Sequence, residues 1–253
     1  MMKMSRRPGN PPRRHGGGSS PYISVALIVM GGILFLFYLR SGLGGFASNL
    51  HHLSKDGGGD FPCTSDVKQA VSILKKAYGD AIQNVLHVGP DTCSVVSTLL
   101  KLDEEHEAWG IEPYDVEDAD EMCKVFVKKG IVRVSDIKFP LPYKAKSFSL
   151  VIVSDALDYL SPKYLNQTLP DLARTAKTGL VIFTGFPQRQ KAKSSELNRV
   201  GMTAKLRNSS WWARYFIQTG LEENEAASNK FEQAAAKAKY KPACQIFHLN
   251  SYN

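Results

Sequence analysis

From Ser65 onward the apolar positions change period in a regular alternation. Helical spacing over Ser65–Tyr78 gives way to a short apolar run at Ile82–Val88. A helix over Ser94–Leu102 is followed by a strand at Ala108–Ile111, a helix over Val116–Lys128 and a strand at Ile131–Ser135. "SLVIV" at Ser149–Val153 has no polar interruption after its first residue and predicts a strand buried on both faces. Pro162–Ala176 predicts a helix and Leu180–Thr184 a fifth strand. Helices over Trp211–Gly220 and Glu222–Tyr240 and a closing strand at Ala243–Leu249 complete the pattern. Strand–helix alternation of this kind predicts an α/β fold with a mostly parallel sheet of six to seven strands, flanked by helices.

A different pattern precedes it. Tyr22–Leu39 is an 18-residue stretch without a charge, long enough to cross a hydrocarbon core of ~30 Å. Tyr22 and Tyr38 sit near its ends, where aromatic rings favour the membrane interface. Residues 1–21 form a Pro-, Gly- and Arg-rich tail, and residues 40–60 a Gly-rich stem. The domain plan is therefore a tail at 1–21, a span at 22–39, a stem at 40–60 and a folded domain at 61–253. Net charge is +8, and six basic residues with no acid fall in the first 40 positions. That leaves a near-neutral domain and argues against a nucleic-acid partner. Basic residues concentrated before the span predict a cytosolic N-terminus and a single-pass type II protein with its domain across the membrane. Two acceptor tripeptides for N-glycosylation, at Asn166 and Asn208, agree with that side. The four cysteines (Cys63, Cys93, Cys123, Cys244) have no metal-ligand spacing. Three of them read as small buried thiols, a disulfide being possible but not assignable.

Open α/β sheets bind ligands at the carboxyl ends of their strands, so the candidate chemistry is sought there. "VLHVGPDTCS" places His87, Gly89, Pro90 and Asp91 where the first strand turns into a helix. Gly89 permits close backbone approach, and the helix start offers free N–H groups that Asp91, Thr92 or Ser94 can cap. A plain strand-to-helix turn is the alternative. Glu112, followed by Pro113, lies at the second strand's tip, 23 residues after Gly89, where an acid accepts hydrogen bonds from ribose hydroxyls. At the third tip Asp136, beside Ile137, is a candidate acceptor for an adenine amino group. At the fourth, Ser154, Asp155 and Ala156 are candidates for the amino-acid end of a cofactor.

These strand ends, with "FPLPYKAKSFSLVIVSDALDYL", make Ile82–Thr184 resemble the class I S-adenosylmethionine-dependent methyltransferases, which carry an "LPF…SFDLVI…ALEHL" pattern. The resemblance implies a Rossmann-like sheet with an antiparallel last strand, and S-adenosyl-L-methionine as cofactor. The chain departs from that pattern at His87, where the family has an acid, at Asp91 and Cys93, where it has glycines, and at Ser149, where it has Asp. With the basic tail, the span and "SSWWARYFIQTGLEENE", the whole chain resembles the plant cotton-Golgi-related family. That resemblance implies a Golgi membrane protein that methylesterifies homogalacturonan pectin, with pectin-synthesising glycosyltransferases as potential partners. A non-catalytic, methyltransferase-like scaffold subunit is the alternative. An esterase finds no GxSxG elbow.

Methyl transfer to a sugar carboxylate needs no general base, because the acid is already ionised near neutral pH. No catalytic residue is therefore assigned. Arg189, Lys191 and Lys193 are candidates to hold a polyanion. Trp211 and Trp212, with Tyr114, Tyr143 and Tyr159, are candidate faces for a sugar or a sulfonium.

Overall fold

The structure, a computed structural model, describes residues 61–102, 105–116, 119–187 and 202–252. The tail, the span and the stem lie outside the described residues. So do Arg189, Lys191 and Lys193. Among the described residues no helix is long and apolar enough to cross a membrane.

Helix α1 (Pro62–Tyr78) starts with proline in its first turn, where the missing N–H costs nothing, and buries Val67, Ala70, Val71 and Leu74 on one face. A short 3-10 turn leads into β1 (Asn84–Val88). There follow α2 (Thr92–Leu100), β2 (Glu107–Glu112) and α3 (Glu121–Lys128). The last is capped by the Asp120 side chain, which accepts from Cys123 N at 2.7 Å. Next come β3 (Val132–Val134), β4 (Phe148–Ser154), a 3-10 turn at Ala156–Tyr159 and α4 (Pro162–Thr175). The chain closes with β5 (Ala176–Thr184), α5 (Ser209–Gln218), α6 (Glu225–Ala238) and β6 (Gln245–Asn250).

Among the described residues the sheet has six strands in the order β3-β2-β1-β4-β5-β6. All pairs are parallel except β5–β6. Among the described residues one strand follows β5, where the sequence places a closing strand, and it runs antiparallel. Strand residues alternate between two cores. Val85, Leu150, Ile152, Val181 and Phe183 pack with α1, α2 and α6. Leu86, Val88, Val151, Val153, Leu180 and Ile182 pack with α4 and α5. Burial on both faces is why "SLVIV" has no polar alternation.

Two expectations are corrected. Strand β5 begins four residues earlier than its apolar run, at Ala176, immediately after α4 ends. The cysteines are not thiols: Cys63 pairs with Cys244 and Cys93 with Cys123. The first bridge ties the start of α1 to the lead-in of β6, and the second ties α2 to α3.

Strand order reverses between β1 and β4, whose residues pair from Val85↔Leu150 to Val88↔Val153. The crevice beyond their carboxyl ends is the topological switch point.

Candidate functional site

Gly89 leaves β1 with its amide bonded to Ile111 O at 3.1 Å. A Cβ there would lie 2.5 Å from Ser154 O and 2.7 Å from Ser154 Oγ. The glycine is thus required by the close packing of the β1 and β4 tips. Asp91 takes the left-handed conformation (φ 53°) and its carboxylate accepts from Ser94 Oγ at 2.7 Å.

Behind this turn lies a closed polar network. The His87 ring is fully buried, with Nδ1 at 2.7 Å from Thr92 Oγ1 and Nε2 at 3.0 Å from Ser154 Oγ. Burial pushes its pKa down to about 3, so it is neutral, with one nitrogen donating and the other accepting. Ser154 Oγ is 2.7 Å from Thr64 Oγ1. Asp155 accepts from Thr64 N at 2.7 Å and Cys63 N at 3.3 Å, so it caps α1 from across the sheet. Glu112 accepts from Thr92 N at 3.1 Å and from the backbone of Tyr114 and Asp91. It serves α2 in the same way, in place of the local caps the sequence suggests. Burial raises Glu112 to about 8 and Asp155 to about 7 against the lowering effect of these donors.

Beside the network, Phe61 stacks on Tyr114 (centroids 5.9 Å apart) and meets Tyr159 edge-on at 6.2 Å, while Tyr114 and Tyr159 are 6.2 Å apart. A cleft of about 380 Å³ opens next to this trio. Pro113, Asp136, Ile137 and Ala156 line it with Tyr114 and Tyr159. Its remaining wall includes Lys138, Ser161, Tyr164, Met202 and Lys205. The strand tips therefore divide. Pro113, Asp136, Ile137 and Ala156 come together on the cleft. His87, Gly89, Pro90, Asp91, Glu112, Ser154 and Asp155 do not line it, and the polar side chains among them bond within the protein.

Asp158 escaped the sequence reading. It is 1% exposed, and its Oδ2 accepts from Gly185 N at 2.8 Å. Its Oδ1 has no hydrogen-bond partner among the described residues. Burial holds its pKa well above the usual carboxylate range. The available signal was an acid in the turn directly after β4, in "ALDYL". Asp155, Asp158 and the Cys63 sulfur approach within 4.8 Å of one another, but the sulfur is committed to its disulfide.

The remaining candidates sort clearly. Trp212 is fully buried and stacks on Phe216 at 5.6 Å, so it is core and not a binding face. Trp211 is half-buried, stacked on Tyr215 at 4.9 Å and covered by the Arg207 guanidinium at 4.8 Å. Arg207 also donates to Leu160 O at 2.7 Å, pinning the turn that carries Asp158 and Tyr159. Tyr143 packs on Phe148, away from the cleft lining. Asn166 is exposed on α4 and accepts from Tyr215 OH at 2.7 Å. Asn208 is exposed and caps α5 through Trp211 N at 2.8 Å.

The strand order, the switch-point cleft and the antiparallel last strand define an S-adenosylmethionine-dependent methyltransferase fold. The 1,6-didemethyltoxoflavin-N1-methyltransferase of Burkholderia thailandensis, solved with S-adenosylhomocysteine bound, has this fold. It superposes with a TM-score of 0.50 at 10% identity, covering 95% of this chain and 94% of that one. The mitomycin 7-O-methyltransferase MmcR gives 0.50 at 12% identity, covering 75% and 54%. No protein-family model matches. Two Arabidopsis thaliana proteins, named "Probable pectin methylesterase CGR2" and "Probable pectin methylesterase CGR3", are each 63% identical over 231 residues. Those alignments cover 91% of this chain and 87% and 88% of the two relatives. The chain belongs to the CGR family.

Proposed function

We propose that this protein binds S-adenosylmethionine in the switch-point cleft and methylates galacturonate carboxylates of homogalacturonan. We further propose that it does so from the Golgi membrane, anchored by Tyr22–Leu39 with its domain in the lumen. The observation that carries the reading is the cleft itself. Strand tips converge there on Pro113, Asp136, Ile137 and Ala156, beside the rings of Tyr114 and Tyr159.

The residues fit the cofactor. Asp136 is a hydrogen-bond acceptor for an amino group on a base, with Pro113, Ile137 and Ala156 as apolar walls. The rings of Tyr114 and Tyr159 make the deep end suited to positive charge rather than negative. The bound cofactor would supply an electrophilic methyl group on a cationic sulfur. The protein's part would be to face that charge with the rings of Tyr114 and Tyr159, to orient the acceptor, and with Phe61 to keep water out. An ionised acceptor carboxylate needs no base, so alignment and desolvation are what the site must provide.

The relatives' printed names point to pectin and also to ester hydrolysis. Hydrolysis requires a nucleophile that substrate can reach. The pair with that look is Ser154–His87, at 3.0 Å, but both residues are 0% exposed and neither lines the cleft. The two disulfides fit an oxidising lumen. A non-catalytic subunit that organises pectin-synthesising glycosyltransferases is the second reading, favoured by the internal bonding of Glu112 and Asp155.

The test uses the purified full chain. Methyl incorporation from labelled cofactor into de-esterified oligogalacturonate is expected. Methanol release from methylesterified pectin without cofactor would overturn methyl transfer in favour of hydrolysis. Absence of any calorimetric heat with the cofactor would select the scaffold reading.

A further inference from the structure

The cleft is electrically two-ended. Its deep end adjoins buried carboxyls. Its outer wall carries ammonium groups, on side chains that are exposed or half-buried. Lys138 Nζ lies 5.5 Å from the centroid of the Tyr164 ring and Lys163 Nζ lies 5.9 Å from the same centroid. Lys205 lines the same cleft, on the segment that returns to α5. Lys138 and Lys205 line the cleft and Lys163 stands beside it on the Tyr164 ring; among the described lining residues one carboxylate answers them, that of Asp136, 3.0 Å from Lys138.

Two ammonium groups drawn to one aromatic ring repel each other, a cost that an anion placed between them would offset. A cationic cofactor gains nothing from these lysines. An anionic acceptor does. The half-buried Tyr164 ring supplies a flat apolar face, matched to the C–H face of a pyranose, while a neighbouring lysine makes a charge-assisted bond to its carboxylate.

Resting on the methyltransferase reading of the cleft, we propose that Tyr164, flanked by Lys138 and Lys163 and joined by Lys205, is the subsite for an anionic sugar of the acceptor. The subsite differs from the basic run at Arg189–Lys193 and from the tryptophan pair at Trp211–Trp212. It holds a non-reacting sugar of the acceptor at the mouth of the cleft and leaves a neighbouring carboxylate of the same chain to reach the methyl donor. Lysine, a mobile point charge, suits a polymer whose carboxylates must be released after each transfer better than a bidentate arginine would.

The experiment measures binding of de-esterified and of fully methylesterified oligogalacturonate to the full chain at low salt. Binding of S-adenosylhomocysteine is measured in parallel. Wild type is expected to prefer the de-esterified oligomer, and added salt is expected to erode that preference. Lys138→Gln/Lys163→Gln/Lys205→Gln is expected to lose at least about tenfold in affinity for the de-esterified oligomer, a larger loss than any in S-adenosylhomocysteine affinity. Tyr164→Ala is expected to weaken both oligomers, and Tyr164→Phe to retain both. A triple variant within twofold of wild type, with cofactor-product binding intact, would overturn the subsite. So would a wild type that does not distinguish the two oligomers. If wild type fails to bind S-adenosylhomocysteine while lysine-dependent oligomer binding persists, the subsite stands and the methyl-transfer reading falls.

Discussion

Replacing Glu112 by Gln should change the pH dependence of stability in a way that isolates one buried carboxyl. Glu112 is 4% exposed and its pKa is raised from 4.5 to about 8, chiefly by burial. Between those values the folded chain holds a proton that the unfolded chain has released, so stability falls as pH rises. At 1.36 kcal/mol per pKa unit the span amounts to about 4–5 kcal/mol. His87 and His248 act in the opposite sense, since burial lowers them to about 3 and about 4 and they cost stability only below their unfolded value of 6.5. The clean window is therefore pH 6.5 to 8, where the buried carboxyls alone among these groups contribute slope. Gln keeps one carbonyl acceptor but turns an NH2 toward the backbone donors of the turn, a loss of about 1–2 kcal/mol at low pH. Glu112→Gln should thus be the less stable protein at about pH 4.5, equal wild type at about pH 5–6, and exceed it by about 3 kcal/mol at pH 8. Denaturant melts followed by tryptophan fluorescence, with unchanged m-values, supply the difference curve. A flat difference between pH 4.5 and 8 would refute the assignment of Glu112 as a buried acid held by the first turn.

Three further outcomes follow from the packing. Cys63→Ser/Cys244→Ser opens a closure of 181 residues. It should cost about 5 kcal/mol by chain entropy, and the α1 amides capped by Asp155 should exchange faster by hydrogen–deuterium measurement. Trp212→Ala empties a fully buried site and should lower stability by about 3–5 kcal/mol. Its oligogalacturonate affinity, measured on the remaining folded fraction, should stay unchanged, whereas a binding face would lose affinity first. Arg207→Ala removes the donor to Leu160 O and the cover over Trp211. Acting through the Asp158–Tyr159 turn, it should weaken S-adenosylhomocysteine in calorimetry, and Arg207→Lys should restore only part of that affinity because a lysine lacks the planar fork.

What was legible in the chain is what local chemistry encodes. The run "SLVIV" announced a doubly buried strand, and Pro162 the start of α4. The tips of the second, third and fourth strands delivered Pro113, Asp136, Ile137 and Ala156 to one cleft. What stayed hidden depends on contacts between distant segments. Thr64 and Asp155 are 91 positions apart, yet their bonds decide that Asp155 caps a helix instead of facing a ligand. Glu112 has the spacing of a ribose acceptor, but the same spacing lets it reach the amide of Thr92, 20 residues earlier. Spacing alone does not separate the two roles, because both ask for an acid at a strand tip beside a helix start. The substitution of His87 for an acid belongs to the same trade. A neutral ring bonded to Thr92 and Ser154 stiffens the tips that an anion would leave repelling Glu112 and Asp155. Three carboxyls already stand in that corner, and a fourth would raise their pKa values further. Charge is thus withheld at the first strand tip, and Asp158, beyond the fourth, is held by burial toward its neutral form. The positive groups are held at Lys138, Lys163 and Lys205, outside. Under the proposed reading, that placement favours an anionic acceptor at the lysines and leaves the tyrosine faces of the deep end to a cationic donor.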